Sequence, residues 1–129
     1  MKRIWCCVLL LCGCLTGPTT DDLTFATRPS GANAKVFLYS GKIINAELIA
    51  VHDSVVYLWN DRLLLVPIKA IRSAGLERTV RISLYGAPGN RQLKRIGALS
   101  RFPYGMSAAQ QDSLLRRSGQ SEPERVIRE

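Results

Sequence analysis

The chain has 129 residues, 47% hydrophobic and 22% charged, which is room for one ordinary domain and too apolar for a disordered chain. Eighteen Lys and Arg stand against ten Asp and Glu, a formal net charge of +8, and the chain stays basic if Lys2 and Arg3 are set aside. Such a charge favours an acidic partner, whether anionic lipid, a polyanionic glycan or nucleic acid. The four cysteines, Cys6, Cys7, Cys12 and Cys14, all fall in the first fourteen residues. That placement excludes a disulfide scaffold, and the lone His52 is too far away to complete a cysteine zinc site.

Met1-Lys2-Arg3 is a positive n-region and residues 4–11 (IWCCVLLL) are an apolar h-region, the pattern of a secretory signal peptide. The run is too short for a spanning helix, which needs ~20 apolar residues. Leu11-Cys12-Gly13-Cys14 resembles the lipobox of bacterial lipoproteins: Leu, two small residues, then Cys. The resemblance implies cleavage after Gly13, a diacylglyceryl thioether on Cys14 and acylation of the new amino terminus. Residues 1–13 are then the signal peptide. The protein would be exported and held on the cell envelope by lipid on Cys14. One acyl chain binds only marginally, at ~0.8 kcal/mol per buried methylene, whereas two or three hold firmly. In such proteins Asp after the lipidated Cys favours the inner membrane, so Leu15 favours the periplasmic side of the outer membrane.

Residues 14–33 are rich in Thr, Pro, Gly and Asp and read as the anchor and a flexible tether. The domain follows over residues 34–118. Residues 35–40 (KVFLYS) form a strand with Val36 and Leu38 on one face, and Gly41-Lys42 turns the chain. Residues 43–51 (IINAELIAV) alternate, with Ile44, Ala46, Leu48 and Ala50 on one face and Ile43, Ile49 and Val51 on the other. Residues 55–59 (VVYLW) and 62–66 (RLLLV) are two strands around an Asn60-Asp61 turn that tolerates positive φ. Pro67 opens one helical turn, residues 72–77 form a further strand, and residues 79–85 (TVRISLY) are an amphipathic one.

Residues 92–99 suit a short helix, weakened by Gly97. Ser107 and Gln110 form a capping box for a second helix that ends on basic residues before Gly119 and packs through Leu114 and Leu115, with Ala108 or Met106. Residues 119–129 read as a disordered tail. The fold class is thus mainly β with C-terminal helices (α+β): a small, strongly bent antiparallel barrel with one or two short helices.

Gly41, Ala46 and Leu48 stand at the spacing of an Sm-like barrel, and the helical turn before the last strand is similar to SH3-like barrels. Asp53 comes one place later than the Sm-like Asp, and Ser54-Val55-Val56 lacks the Asn that follows it in RNA binders of that group. The run from Val36 to Ser73 also resembles a recurring module of bacterial envelope proteins. Leu48, Ala50, Val51, Asp53, Ser54, Val66, Pro67, Ile71 and Ser73 carry the likeness, and residues 100–107 (SRFPYGMS) are a second shared element.

No catalytic set, cofactor motif or metal site is evident. Gly86-Ala87-Pro88-Gly89 lacks the spacing and Lys of a phosphate loop. His52 and Asp53 are adjacent strand residues and should face opposite ways. Between Arg62 and Arg101 nine basic residues (Arg62, Lys69, Arg72, Arg78, Arg81, Arg91, Lys94, Arg95 and Arg101) accompany one acid, Glu77. They form either a cationic contact face or a set of solvated side chains. Arg101 with Phe102 and Tyr104 is either a docking patch or a packed corner around Pro103. The expected protein is a non-enzymatic, membrane-anchored binding module. Its partner would be another envelope protein or an anionic envelope component, export weighing against nucleic acid. The alternatives are a polyanion-binding barrel and a hydrolase of unfamiliar type.

Overall fold

The computed structural model describes residues 26, 29–78 and 81–126, so the expected signal peptide, residues 1–13, and the expected lipidation site Cys14 lie outside the described residues. The elements run β1 (Asn33–Leu38), β2 (Ile43–His52), β3 (Val55–Trp59), β4 (Leu63–Pro67), a 3-10 turn (Ile68–Ala70), β5 (Ile71–Glu77) and β6 (Arg81–Tyr85). Two helices, α1 (Asn90–Leu99) and α2 (Ala108–Ser118), and a short β7 (Glu124–Arg125) follow. The strands make one sheet in the order β6-β5-β1-β2-β3-β4-β7. Every pairing is antiparallel except β4 with β7. β6 and β7 end the ladder at opposite edges, so the sheet is mixed and open rather than a closed antiparallel barrel.

The tight turns follow from local chemistry. Gly41 takes φ +87° between β1 and β2, where the Leu38 and Lys42 backbones close the hairpin at 2.9 Å. Asp61 takes φ +54° in the Asn60-Asp61 turn, where its short polar side chain tolerates the left-handed region. At α2 the Ser107 hydroxyl accepts the Gln110 N–H at 3.3 Å, while the Gln110 carbonyl oxygen accepts the Ser107 N–H at 2.8 Å. Gly119 closes the helix at φ +68°. Met106 supplies the extra packing at this helix; Ala108 is exposed.

β2 carries the main departure from the expected pattern. Its pairing with β3 slips between Leu48 and Ala50, leaving Ile49 as an extra residue. One added residue reverses the side-chain phase. Ala50 therefore does not share a face with Leu48: it joins Ile49 on the other side, and Val51 returns to the Leu48 side. Leu48, Ile49 and Ala50 are all fully buried, because the bulge feeds two cores. The larger core gathers Val36, Ile44, Leu48, Leu58 and Val66 with Ile96 and Leu99 of α1. The smaller gathers Ile49, Ala50 and Leu63 with Leu114 and Leu115 of α2, closed over by Trp59, Phe102 and Met106.

Both ends of the domain extend beyond the expected limits. The segment expected as tether is tied down near its end: the Ala26 N–H donates to Ala98 at 2.8 Å, and Ala32 is fully buried. The tail expected to be disordered from Gly119 onward pairs as β7 beside β4. The Gln120 side-chain oxygen accepts the Leu63 N–H at 2.7 Å, and Val126 is buried in the larger core. Edge backbone of β4 that would otherwise stay unpaired is thereby covered.

Gly31 crosses directly under the bulge, where an added Cβ would lie 1.9 Å from the Leu48 carbonyl oxygen and 2.8 Å from the Arg101 nitrogen. Both obstacles are backbone and cannot rotate away. Gly31→Ala should therefore cost about 3 kcal/mol of unfolding free energy in urea titrations. Gly75→Ala, whose methyl would meet nothing within 4 Å, should change stability by about 0.5 kcal/mol at most. Equal effects at the two positions would contradict this packing.

Candidate binding surface

The residues beside the bulge form a clasp. Glu47 on β2 accepts Arg101 Nε at 2.8 Å and also Arg101 Nη2, and its Oε1 takes the Gly31 N–H. Both side chains are less than one-fifth exposed. Burial alone would raise the Glu47 pKa. The Arg101 guanidinium, the Gly31 N–H and the nearby charge of Arg117 outweigh it and hold the carboxyl below its ordinary value. Arg101 is thus committed to an internal ion pair. Its backbone N–H and that of Phe102 donate to Leu48 and Ile49 at 3.0 and 2.9 Å. Residues 100–103 are a packed corner, with Ser100 fully buried, while Tyr104 next to it is 83% exposed.

The nine basic residues do not gather on one face. Arg62 sits at the β3–β4 turn and pairs with Glu124 at 3.1 Å, whereas Arg81 opens the opposite edge strand. Arg91, Lys94 and Arg95 ride on α1, and Arg78 is partly buried at the far end of β5. Lys69 on the 3-10 turn and Arg72 on β5 are three residues apart and both exposed, and Arg91 shares a helix face with Lys94 and Arg95.

His52 and Asp53 touch, contrary to the expectation from strand alternation. Asp53 turns out of the strand at φ +45°, which brings its Oδ2 to 3.0 Å from His52 Nδ1. The two side chains are 65% and 83% exposed, and Asp53 lines a cavity of about 540 Å³ with Val55, Pro67, Ile68 and Leu93. Among the described residues, no three His, Cys, Asp or Glu side chains are grouped to hold a metal ion.

A different surface stands out. Helix α2 covers the outer face of the sheet only around the bulge and β4. Beyond it, four strands show a face that is uncovered among the described residues and whose side chains align in register. One row reads Ile43, Phe37, Ser73 and Tyr85 across β2, β1, β5 and β6; the next reads Asn45, Lys35, Gly75 and Ser83. Directly paired residues share a sheet face. Ile43 is 50% and Tyr85 87% exposed. Between Phe37 and Tyr85 the small residues Ser73, Gly75 and Ser83 leave a shallow groove of about 360 Å³, with the Lys35 ammonium 5.5 Å from the Phe37 ring centre. Tyr39, 52% exposed, and Lys42 flank the same strand ends.

Ile43 belongs to the second apolar face of residues 43–51 in the sequence, but Phe37 and Tyr85 join it only through the register of neighbouring strands. Their signal was the opposite phase, where Phe37 and Ile43 are apolar at positions that an ordinary solvated face would make polar. Comparison of the chain with protein-family models, with curated proteins and with solved structures finds no match.

The clasp has a pH signature. Because the folded pKa of Glu47 is depressed, its contribution is complete above the unfolded value, near 4.5, and is lost as pH falls through the folded one. Glu47→Gln should cost about 2 kcal/mol at neutral pH, less than for a fully buried pair because both groups keep some water contact. Wild type should then lose more stability than this variant on acidification below pH 4.5. Parallel stability curves for the two proteins would count against the clasp.

Proposed function

We propose that this protein is an exported lipoprotein, anchored to the bacterial envelope through lipid on Cys14, whose small domain binds a partner rather than catalysing a reaction. The observation that carries the binding part is the in-register row Ile43, Phe37, Ser73 and Tyr85 on a sheet face that neither described helix covers. Large exposed Ile43 and Tyr85 side chains flanking a half-polar groove, with Lys35 and Glu77 at its edge, suit an interaction surface. The anchor rests on the Leu11-Cys12-Gly13-Cys14 motif behind an apolar leader. With the leader removed, Cys14 would be the single remaining cysteine and would carry lipid, which leaves no thiol for catalysis.

The finer architecture belongs to the same proposal. The run β5-β1-β2-β3-β4, with a single 3-10 turn between β4 and β5, supports an Sm-like or SH3-like small barrel opened and extended by β6 and β7. Such folds host many unrelated activities, so the ligand has to be argued from the surface and not from the fold.

Radiolabelled palmitate should enter the wild-type protein and not Cys14→Ala, with the label sedimenting in the membrane fraction. Absence of label from wild type would refute the anchor. A photo-crosslinking residue placed at Ile43 or Tyr85 in intact cells should yield adducts with envelope components, whereas one at the exposed Asp112 of α2 should not. Equal yields from the two faces would refute the binding surface.

A further inference from the structure

The uncovered face ends in a tip where apolar and cationic side chains meet. Three of the four large hydrophobic residues most exposed in the described structure lie there: Tyr39 at 52%, Ile43 at 50% and Tyr85 at 87%. The strand ends converge through backbone bonds. The Tyr39 N–H donates to Ala70 at 3.0 Å and the Gly86 N–H donates to Arg72 at 2.7 Å. This brings Lys42, Lys69 and Arg72, all exposed, to the same end as the aromatics, with Lys35 one row behind. Two acids border this set: Glu77 lines the groove with Lys35, and Asp53 lines a cavity with Lys69. Glu47 and Glu77 lie at the other end of the same ladders, two rows beyond the Phe37 row. Asp53 lies past the 3-10 turn and is paired with His52.

We infer that this tip is a membrane-docking surface, which lays the domain against a bilayer of anionic phospholipid. Tyrosine suits the headgroup region, since its ring is apolar and its hydroxyl polar. Lys and Arg extend long apolar stems with the charge at the end, and so satisfy both the acyl boundary and the phosphates. Lys42 and Arg72, with Lys35 and Lys69 beside them, outnumber the bordering Glu77 and Asp53 and match the charge of an anionic leaflet. The inference presupposes the Cys14 anchor, and the geometry allows both contacts at once. From Cys14 to the docked Ala26 is about a dozen residues, a contour of at most ~40 Å. A domain of this size has a radius of gyration of only ~13 Å, so the anchored end does not dictate which face meets the membrane.

The test uses the full chain recovered from bacterial membranes and reconstituted into vesicles. One set is rich in phosphatidylglycerol, the other phosphatidylcholine alone. A fluorophore is attached at Tyr85→Cys, Ile43→Cys or, as a control on another surface, Tyr104→Cys, and quenching by brominated lipid reports depth. Flotation at high salt with mass analysis of the amino terminus checks the anchor independently. In anchored protein the labels at positions 43 and 85 should be quenched on phosphatidylglycerol and the label at 104 should not. The double charge reversal Lys42→Glu with Arg72→Glu should reduce the docked fraction about tenfold without changing the circular dichroism spectrum. Quenching at 43 and 85 no greater than at 104 would overturn the inference while leaving the anchor standing, as would equal quenching on both vesicle types. Burial of the position-85 label by self-association in the absence of lipid would also overturn it, since a second copy would then occupy the tip. Protein that fails to float but still docks through the tip would refute the anchor and keep the surface.

Discussion

One carboxylate joins three parts of the chain. Glu47 takes hydrogen bonds from Arg101 and from the Gly31 backbone beside a bulge that has already turned β2 toward a second core. The β1–β2 ladder ends at the Asn33–Glu47 pair, just before the bulge, so the Leu48 and Ile49 carbonyls lie beyond it. They accept the N–H groups of Arg101 and Phe102, so the corner between the helices is stitched to the sheet by backbone as well as by charge. The ion pair is only partly exposed, so its partners hold each other where water is scarce. Loss of either one would leave a charge in a poor environment. Gly31 is what lets the entering strand pass close enough to take part.

The two cores explain why the molecule has a free face. α1 seals the larger core and α2 the smaller one. β7 covers the β4 edge. That accounts for the helices and the tail, and among the described residues it leaves the outer side of β1, β5, β6 and the first half of β2 uncovered. Apolar residues there do not contribute to either core, and exposing them gains nothing for folding. The arrangement of Tyr39, Ile43 and Tyr85 beside Lys42, Lys69 and Arg72 is the surface on which the proposed contact with an outside partner rests.

Much of the scaffold was legible in the sequence where local chemistry decides the outcome. Asn60-Asp61, Gly41, the Ser107–Gln110 capping box and Gly119 each fix a turn or a helix end with residues a few positions apart, and the strands and helices between them lie close to where periodicity places them. What stayed hidden depends on distant partners. Nothing near Ile49 announces a bulge; it is selected because carbonyls at that place meet residues more than fifty positions later. The Glu47–Arg101 pair is likewise non-local, which is why Arg101 was counted among the candidate contacts. The polar stretch after Gly119 looks unstructured until Gln120 finds the Leu63 backbone. The exposed row was written in the strands, but as an apolar minority phase that only register could assemble.

The most direct test of this account is native-state hydrogen exchange at the amides of Ala32, Leu48, Arg101 and Phe102. If the clasp and the bulge form one unit, the four amides exchange through a single opening with a common free energy, and Glu47→Gln lowers all four together. Exchange of Arg101 and Phe102 through a cheap local opening that leaves Leu48 protected would show instead that the corner merely rests on the sheet, and would contradict the central place given to Glu47.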